Sequence, residues 1–245
     1  MRIARQVLSS VSTAVLVAAA ALLIGTFAPG TASAAGIWEG QVATDSANVR
    51  AGPSRNAAVV GRLDAGQPIG VAQWVIGEKV VGSNDVWGRV GQGRYVYSGV
   101  LTKQLPSRPP APPSAPRSDR WIDVNLTQQV ATAYKGSTPV YMALVSTGTP
   151  GWETPVGTFP ITRRAANVTM DSGTLAVAVP VPYRLPNVLW AQYFTRWGHA
   201  LHSNYWKWDS PFGVPTSHGC VGMKERDAAF FWEFAQVGTP IVVHY

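Results

Sequence analysis

The chain has very little cysteine: one residue, Cys220, in 245. A single thiol cannot close an internal disulfide, so no cross-linked framework supports the fold. Charge is also scarce. Only 13% of residues are charged, and the 13 acids are outnumbered by 20 lysines and arginines, leaving a net charge of +7. The basic residues are scattered rather than clustered, which disfavours nucleic acid as a partner and leaves anionic polymers or lipid headgroups as the electrostatic match. Long helical periodicity is missing until the last twenty residues. What the chain does have is aromatic and apolar material, with 10 tryptophans and 46% hydrophobic residues, enough for folded cores.

The first residues read as a secretory signal. Arg2 and Arg5 precede an apolar run from Val11 to Phe27, and Ala32-Ser33-Ala34 offers a small-residue cleavage site. Residues 1–34 are expected to be removed, and the remainder to be exported to the cell wall, the periplasm or the medium. An uncleaved anchor is the alternative, because seventeen apolar residues lie at the short end of a bilayer span. Loss of the two arginines leaves a net charge of +5. A lone thiol outside the cytosol is either an inert core atom or a nucleophile.

Six prolines crowd into residues 106–116, from Pro106 to Pro116. This segment, 105–117, is expected to be a stiff spacer between two domains, with a reach of roughly 35 Å at about 3.1 Å per residue. Residues 38–104 carry short β-rich runs, such as Ile69-Gly70-Val71 and Tyr95-Val96-Tyr97, separated by glycine turns at Gly66 and Gly91–Gly93. This pattern suits a small barrel. Asn48-Val49-Arg50-Ala51-Gly52-Pro53 and the segments after it resemble the bacterial SH3-like (SH3b) domains, which implies cell-wall peptide binding.

Residues 120–245 are expected to form a mainly-β sandwich with one late helix. Val140–Val145, apolar on both faces, reads as a central strand, and Leu175–Val181 as another strand. Ala228, Phe231, Trp232 and Ala235 follow helical spacing, predicting a helix over Lys224–Gln236 ended by Gly238.

The chemistry concentrates in Ser217-His218-Gly219-Cys220, with fourteen residues between His202 and Ser217. A thiol attacks a carbonyl as thiolate, so it needs a base or a lowered pKa. His202 can supply the base. The helix after Cys220 is expected to turn its positive end toward the sulfur, and the amides of Gly219 and Cys220 to face a developing oxyanion. Ser217 and His218 can order the loop or touch substrate. The alternatives are a buried, inert cysteine, or zinc held by His199, His202, His218 and Cys220. Residues three apart on a strand face opposite ways, which argues against the metal. His244 reads as a structural or surface histidine.

The stretch His202-x14-Ser217-His218-Gly219-Cys220-Val221-Gly222-Met223 resembles the signature of L,D-transpeptidases of the YkuD type. Val145-Ser146-Thr147-Gly148, Thr154-Pro155-Val156-Gly157-Thr158-Phe159 and Gly198–Ser203 resemble its other conserved blocks. The resemblance implies that Cys220 attacks a tetrapeptide stem of peptidoglycan and forms a thioester, which a second stem resolves into a 3→3 cross-link. Water in place of the acceptor would make the protein an L,D-carboxypeptidase. It implies that His202 is the base, oriented by the Ser203 carbonyl, that Ser217, His218 and Tyr183 line the donor pocket, and that carbapenems inhibit. It calls for no cofactor and no metal. One departure stands out: the family usually has Arg or Asn at the position of Gly222, a place that Lys224 or Arg226 is expected to fill. A non-catalytic wall-binding protein on the same scaffold is the reading that this departure favours.

Overall fold

The computed structural model describes residues 37–174, 182–206 and 212–245. The expected signal segment, 1–34, and the expected strand Leu175–Val181 lie outside the described residues. Turn glycines cut the first third into eight short strands: β1 Trp38–Val42, β2 Ser46–Arg50, β3 Val59–Asp64, β4 Pro68–Val71, β5 Gln73–Val81, β6 Asn84–Gly91, β7 Arg94–Tyr97 and β8 Leu101–Thr102. They form a three-stranded sheet, β4-β1-β8, and a five-stranded sheet, β3-β2-β7-β6-β5. Gly66 and Gly93 sit at φ +70° and +61°, the left-handed region that their tight turns require. Trp38, Val42, Val49, Val71, Val96 and Leu101 fill the space between the sheets.

The loop after β2 is tied down by one carboxylate. Glu78 accepts hydrogen bonds from Ser54 Oγ, the Arg55 amide and Arg55 Nε, each at 2.7 Å. The Ser54 bond, followed by those from Arg55, holds the Glu78 carboxyl down at about 2.

The larger part begins at β9 Arg120–Asn125 and continues through β10 Val130–Lys135, β11 Thr138–Ser146, β12 Gly157–Pro160, β13 Arg163–Asp171, β14 Arg184–Tyr193, β15 Ala200–Ser203 and β16 Val221–Met223. The helix α1 Glu225–Phe234 and the strand β17 Pro240–His244 complete it. The strands join in one nine-stranded sheet, β12-β17-β9-β10-β11-β16-β15-β14-β13, that curls around its own core. β9, β10 and the inner half of β11 are buried on both faces, as the apolar run at 140–145 requires of a central strand. Two neighbours are parallel, β15 with β16 and β17 with β9; all the others are antiparallel.

α1 drives Ala228, Phe231 and Phe234 into a cluster with Ile122, Val124, Leu201 and Met223. It ends at Phe234, four residues before Gly238, which instead makes a later turn at φ +92°. Arg164 Nη2 donates to the Trp232 carbonyl and Arg120 Nη1 to that of Phe234, so two arginines satisfy the last turn.

The proline-rich stretch does not hold the two parts apart. Trp38 Nε1 donates to the Gly213 carbonyl, and Lys103 Nζ donates to Glu39 O and Gln128 Oε1, both at 2.7 Å. Val214, fully buried, belongs to the hydrophobic cluster of the first part. The spacer's contour length sets only an upper limit on separation. Burying Trp38 and Val214 at a shared boundary favours contact.

Candidate active site

β15 and β16 pair Leu201 with Val221, His202 with Gly222 and Ser203 with Met223. One further step of this register sets Cys220 beside Ala200. Side chains alternate across a strand, so positions 202, 220 and 222 share one face, with Cys220 the diagonal neighbour of His202. The second parallel pair gauges what that diagonal spans. His244 is opposite Asn125, and the residue two positions before Asn125 is Asp123. His244 Nε2 lies 3.0 Å from Asp123 Oδ1. Cys220 stands to His202 in register as Asp123 stands to His244.

His202 is buried, and its Nδ1 lies 2.7 Å from the Ser203 carbonyl. A carbonyl only accepts, so Nδ1 carries the proton and Nε2 keeps its lone pair. Trp206 stacks on the ring at 5.7 Å and 18°. Burial pushes the His202 pKa down to about 4, against the opposing pull of the Ser203 carbonyl. Burial pushes the Cys220 thiol up to about 11, although a backbone hydrogen bond at Ala200 pulls the other way. The Cys220 thiol donates to the Gly198 carbonyl at 3.9 Å. The resting pair is therefore neutral thiol and neutral imidazole.

This differs from the lowered thiol that the sequence leads one to expect. α1 starts at Glu225, and β16 intervenes. Four extended residues cover roughly 13 Å at about 3.3 Å each, beyond the reach of a helix terminus, whose field fades within a turn.

The loop before Cys220 is closed by its own polar groups. Ser217 Oγ donates to the Cys220 carbonyl at 2.6 Å and accepts from the Gly219 amide at 3.1 Å. That amide is thus engaged by Ser217 rather than turned to an open cleft. Gly219 has φ +103°, and a Cβ there would lie 2.7 Å from the His199 ring. Only glycine fits, which makes Gly219 a backbone requirement of the loop. Ser217 orders the loop, and its own backbone is zipped to Thr147 and Thr149 at 2.9 Å each.

His218 sits between Trp152 and Tyr183, with both ring centroids at 5.3 Å. Tyr183 is anchored by its amide on Ser172 Oγ at 2.9 Å. Burial, then the nearby Cys220 and Asp171, push the Tyr183 hydroxyl up to about 12. Tyr183 thus joins His218 and Cys220 in one cluster.

Against this geometry, comparison with known proteins is specific. The L,D-transpeptidase catalytic domain (YkuD) model matches residues 119–243, just over half of the chain. The chain belongs to this family. Over 100 residues it is 32% identical to the probable L,D-transpeptidase 3 of Mycobacterium tuberculosis, covering 40% of this chain and 36% of that protein. Over 101 residues it is 34% identical to L,D-transpeptidase 1 of the same organism, covering 40% and 39%. The match thus spans about two fifths of the length of these curated relatives. Among solved structures, an L,D-transpeptidase from Mycobacterium smegmatis is 21% identical, covers 87% of this chain and 84% of its own, and has a TM-score of 0.48. An L,D-transpeptidase in complex with imipenem is 22% identical, covers 69% and 78%, and has a TM-score of 0.48.

Within this L,D-transpeptidase domain, the residues singled out from sequence converge: His202, Ser203, Ser217, His218, Gly219, Cys220 and Tyr183 all lie on or around β15, β16 and the loop between them. One expectation does not hold. Arg226 is exposed and pairs with Asp227 Oδ1 at 3.4 Å, and Lys224 is exposed at the N-cap of α1, so neither covers Gly222. The four residues weighed as zinc ligands make no metal set among the described residues. His199 Nδ1 is 2.8 Å from Thr195 Oγ1. Of the two readings of His244, structural or surface, the structural one stands, because it is buried with Asp123.

Thr154 is a site residue that sequence reasoning missed. Its Oγ1 donates to the Gly219 carbonyl at 2.9 Å and accepts from the Gly148 amide at 3.0 Å. Its signal was present in the Thr154-Pro155-x-Gly157 block, but the partner lies 65 residues away.

Proposed function

We propose that the protein is an exported L,D-transpeptidase that cross-links peptidoglycan stems through a thioester on Cys220. The supporting observation is the register of β15 and β16, which puts Cys220 diagonal to a histidine whose Nδ1–H is committed to the Ser203 carbonyl.

Because thiol and imidazole are both neutral at rest, proton transfer accompanies attack. Rotation of the thiol away from Gly198 brings it toward Nε2 of His202. That nitrogen takes the S–H proton as sulfur bonds to the stem carbonyl. Collapse of the tetrahedral intermediate breaks the C–N bond, and His202 returns the proton to the departing D-alanine amine. A stem amine then repeats the cycle on the thioester, with His202 again as base. The Cys220 amide is the remaining candidate donor to the oxyanion, since Gly219 serves Ser217. His218, Trp152 and Tyr183 form the aromatic wall against which the donor stem lies. The SH3-like first part supplies affinity for the wall, and carbapenems acylate the same thiol.

The test is incubation of the mature protein with disaccharide-tetrapeptide, read by mass spectrometry. Cross-linked dimers that vanish with Cys220→Ala support the reading; identical products from both proteins sink it. Loss of D-alanine without dimers identifies the L,D-carboxypeptidase instead. The high pKa of the thiol favours one further reading, a wall-binding protein without catalysis. In that case a carbapenem adds no mass to Cys220.

A further inference from the structure

Gly222 lies opposite His202 on the face that carries the nucleophile. A Cβ built there would lie 2.9 Å from Asn204 Nδ2 and 3.2 Å from Asn204 Cβ. The carboxamide of Asn204 thus occupies the direction that a side chain at 222 would take. Its backbone amide donates to the Met223 carbonyl at 2.8 Å, which carries the β15 ladder one residue further. Alternation then puts the Asn204 side chain on the same face as His202 and Cys220. Oδ1 of Asn204 is buried and has no hydrogen-bond partner among the described residues.

The second parallel pair again serves as a reference. The residue opposite His244 is Asn125, whose Oδ1 is committed to the Gln128 amide at 2.6 Å. The same place opposite His202 is glycine, and an amide reaches over it from the base's own strand. Asn125 is spent on a turn, whereas Asn204 has an acceptor with nothing to accept. A buried acceptor without a donor is costly, and a ligand that supplies one recovers that cost.

We propose that Asn204 recognises the peptide backbone of the donor stem. A carboxamide offers one acceptor and two donors, the complement of an extended peptide unit, which presents an N–H and a C=O. The torsion that aims the amide is broad, so Oδ1 can turn to the stem without leaving the strand. Gly222 leaves the room in which this pairing takes place. The proposal rests on Cys220 and His202 being the reacting pair.

The experiment compares two acylating agents on the full mature protein. A tetrapeptide stem has the extended backbone; a carbapenem reaches the same thiol without it. Asn204→Leu keeps the volume and removes the amide. We expect its kcat/KM on tetrapeptide to fall about 10- to 100-fold, with carbapenem acylation of Cys220 within about threefold of wild type. The double variant Asn204→Gly/Gly222→Asn, which moves the amide across the strand pair, should recover most of the loss. Unchanged tetrapeptide turnover in Asn204→Leu overturns the proposal. An equal fall with both agents also overturns it, because a general disturbance of the site would act on both. Wild-type protein that neither turns over stems nor takes up carbapenem fails earlier, at the reading of Cys220 itself.

Discussion

The molecule builds the same motif twice and uses it in opposite ways. In β15–β16 and in β17–β9, a histidine on one parallel strand faces a partner strand whose residue two positions back lies on the diagonal. Both histidines hold Nδ1 to the carbonyl of the next residue, at 2.7 Å for His202 and 2.8 Å for His244. Burial lowers the proton affinity of both rings. What differs is the diagonal residue. Asp123 offers a carboxylate whose hydrogen bond and charge, with the Tyr245 carbonyl, outweigh burial and raise the His244 pKa. Cys220 offers a neutral thiol, and His202 stays near 4. One backbone arrangement thus gives one histidine with a raised pKa and one with a lowered pKa, and the residue at the diagonal decides which.

The sharpest way to break the comparison is to remove the base. His202→Ala should cut the rate of Cys220 acylation by about 10²- to 10⁴-fold, the usual share of general base catalysis, as followed by carbapenem adduct formation. The same substitution at His244 should leave that rate nearly intact. A similar loss at both positions would mean that the two pairs do not differ in function.

Cys220→Asp tests the diagonal directly, by giving His202 the partner that His244 has. The His202 pKa should climb from about 4 to above the ordinary value of about 6.5, as read by NMR titration of the ring. A ring that still titrates near its original value would show that the diagonal does not reach.

Asp123→Ala is expected to cost about 1–3 kcal/mol of stability in denaturant unfolding, because it leaves His244 Nε2 buried without its partner. An effect near zero would place Asp123 outside the packing of the core.

The smallest effect is one of pH. The folded His244 pKa is raised, so its contribution to stability is complete below about pH 6.5 and is lost as pH rises through the folded value. Wild type should therefore lose stability relative to His244→Gln as pH rises from about 6.5 through the folded value. Parallel curves for the two proteins would rule out the raised value.

Much of the candidate strand pair was legible in the sequence because its motif is local. Ser217 to Cys220 is one turn, and Gly219 explains itself by its backbone angle. β11 was visible as an apolar run, and α1 by its helical spacing. Other features depend on contacts that no window contains. Thr154 reaches Gly219 across 65 residues, and His244 reaches Asp123 across 121. The β13–β14 hairpin was not read because its strands lack clean alternation. β14 includes Pro186 and has Asn187 and Trp190 at φ +56° and +61°, a bent strand that no period-2 pattern describes. The prolines at 106–116 correctly mark a change of composition but say nothing of docking, which depends on Trp38 and Val214.

Val214 gives that docking a mechanical meaning. The cluster that holds the first eight strands together is completed by a residue from the far side of the proline stretch, six positions before the sulfur. Tension on the first part would run through Trp38 to Gly213 and along the backbone to the loop before Cys220. The proline stretch therefore works as a slack tether in parallel with a bolted joint. The joint, rather than the tether, is what would carry a load between the two parts.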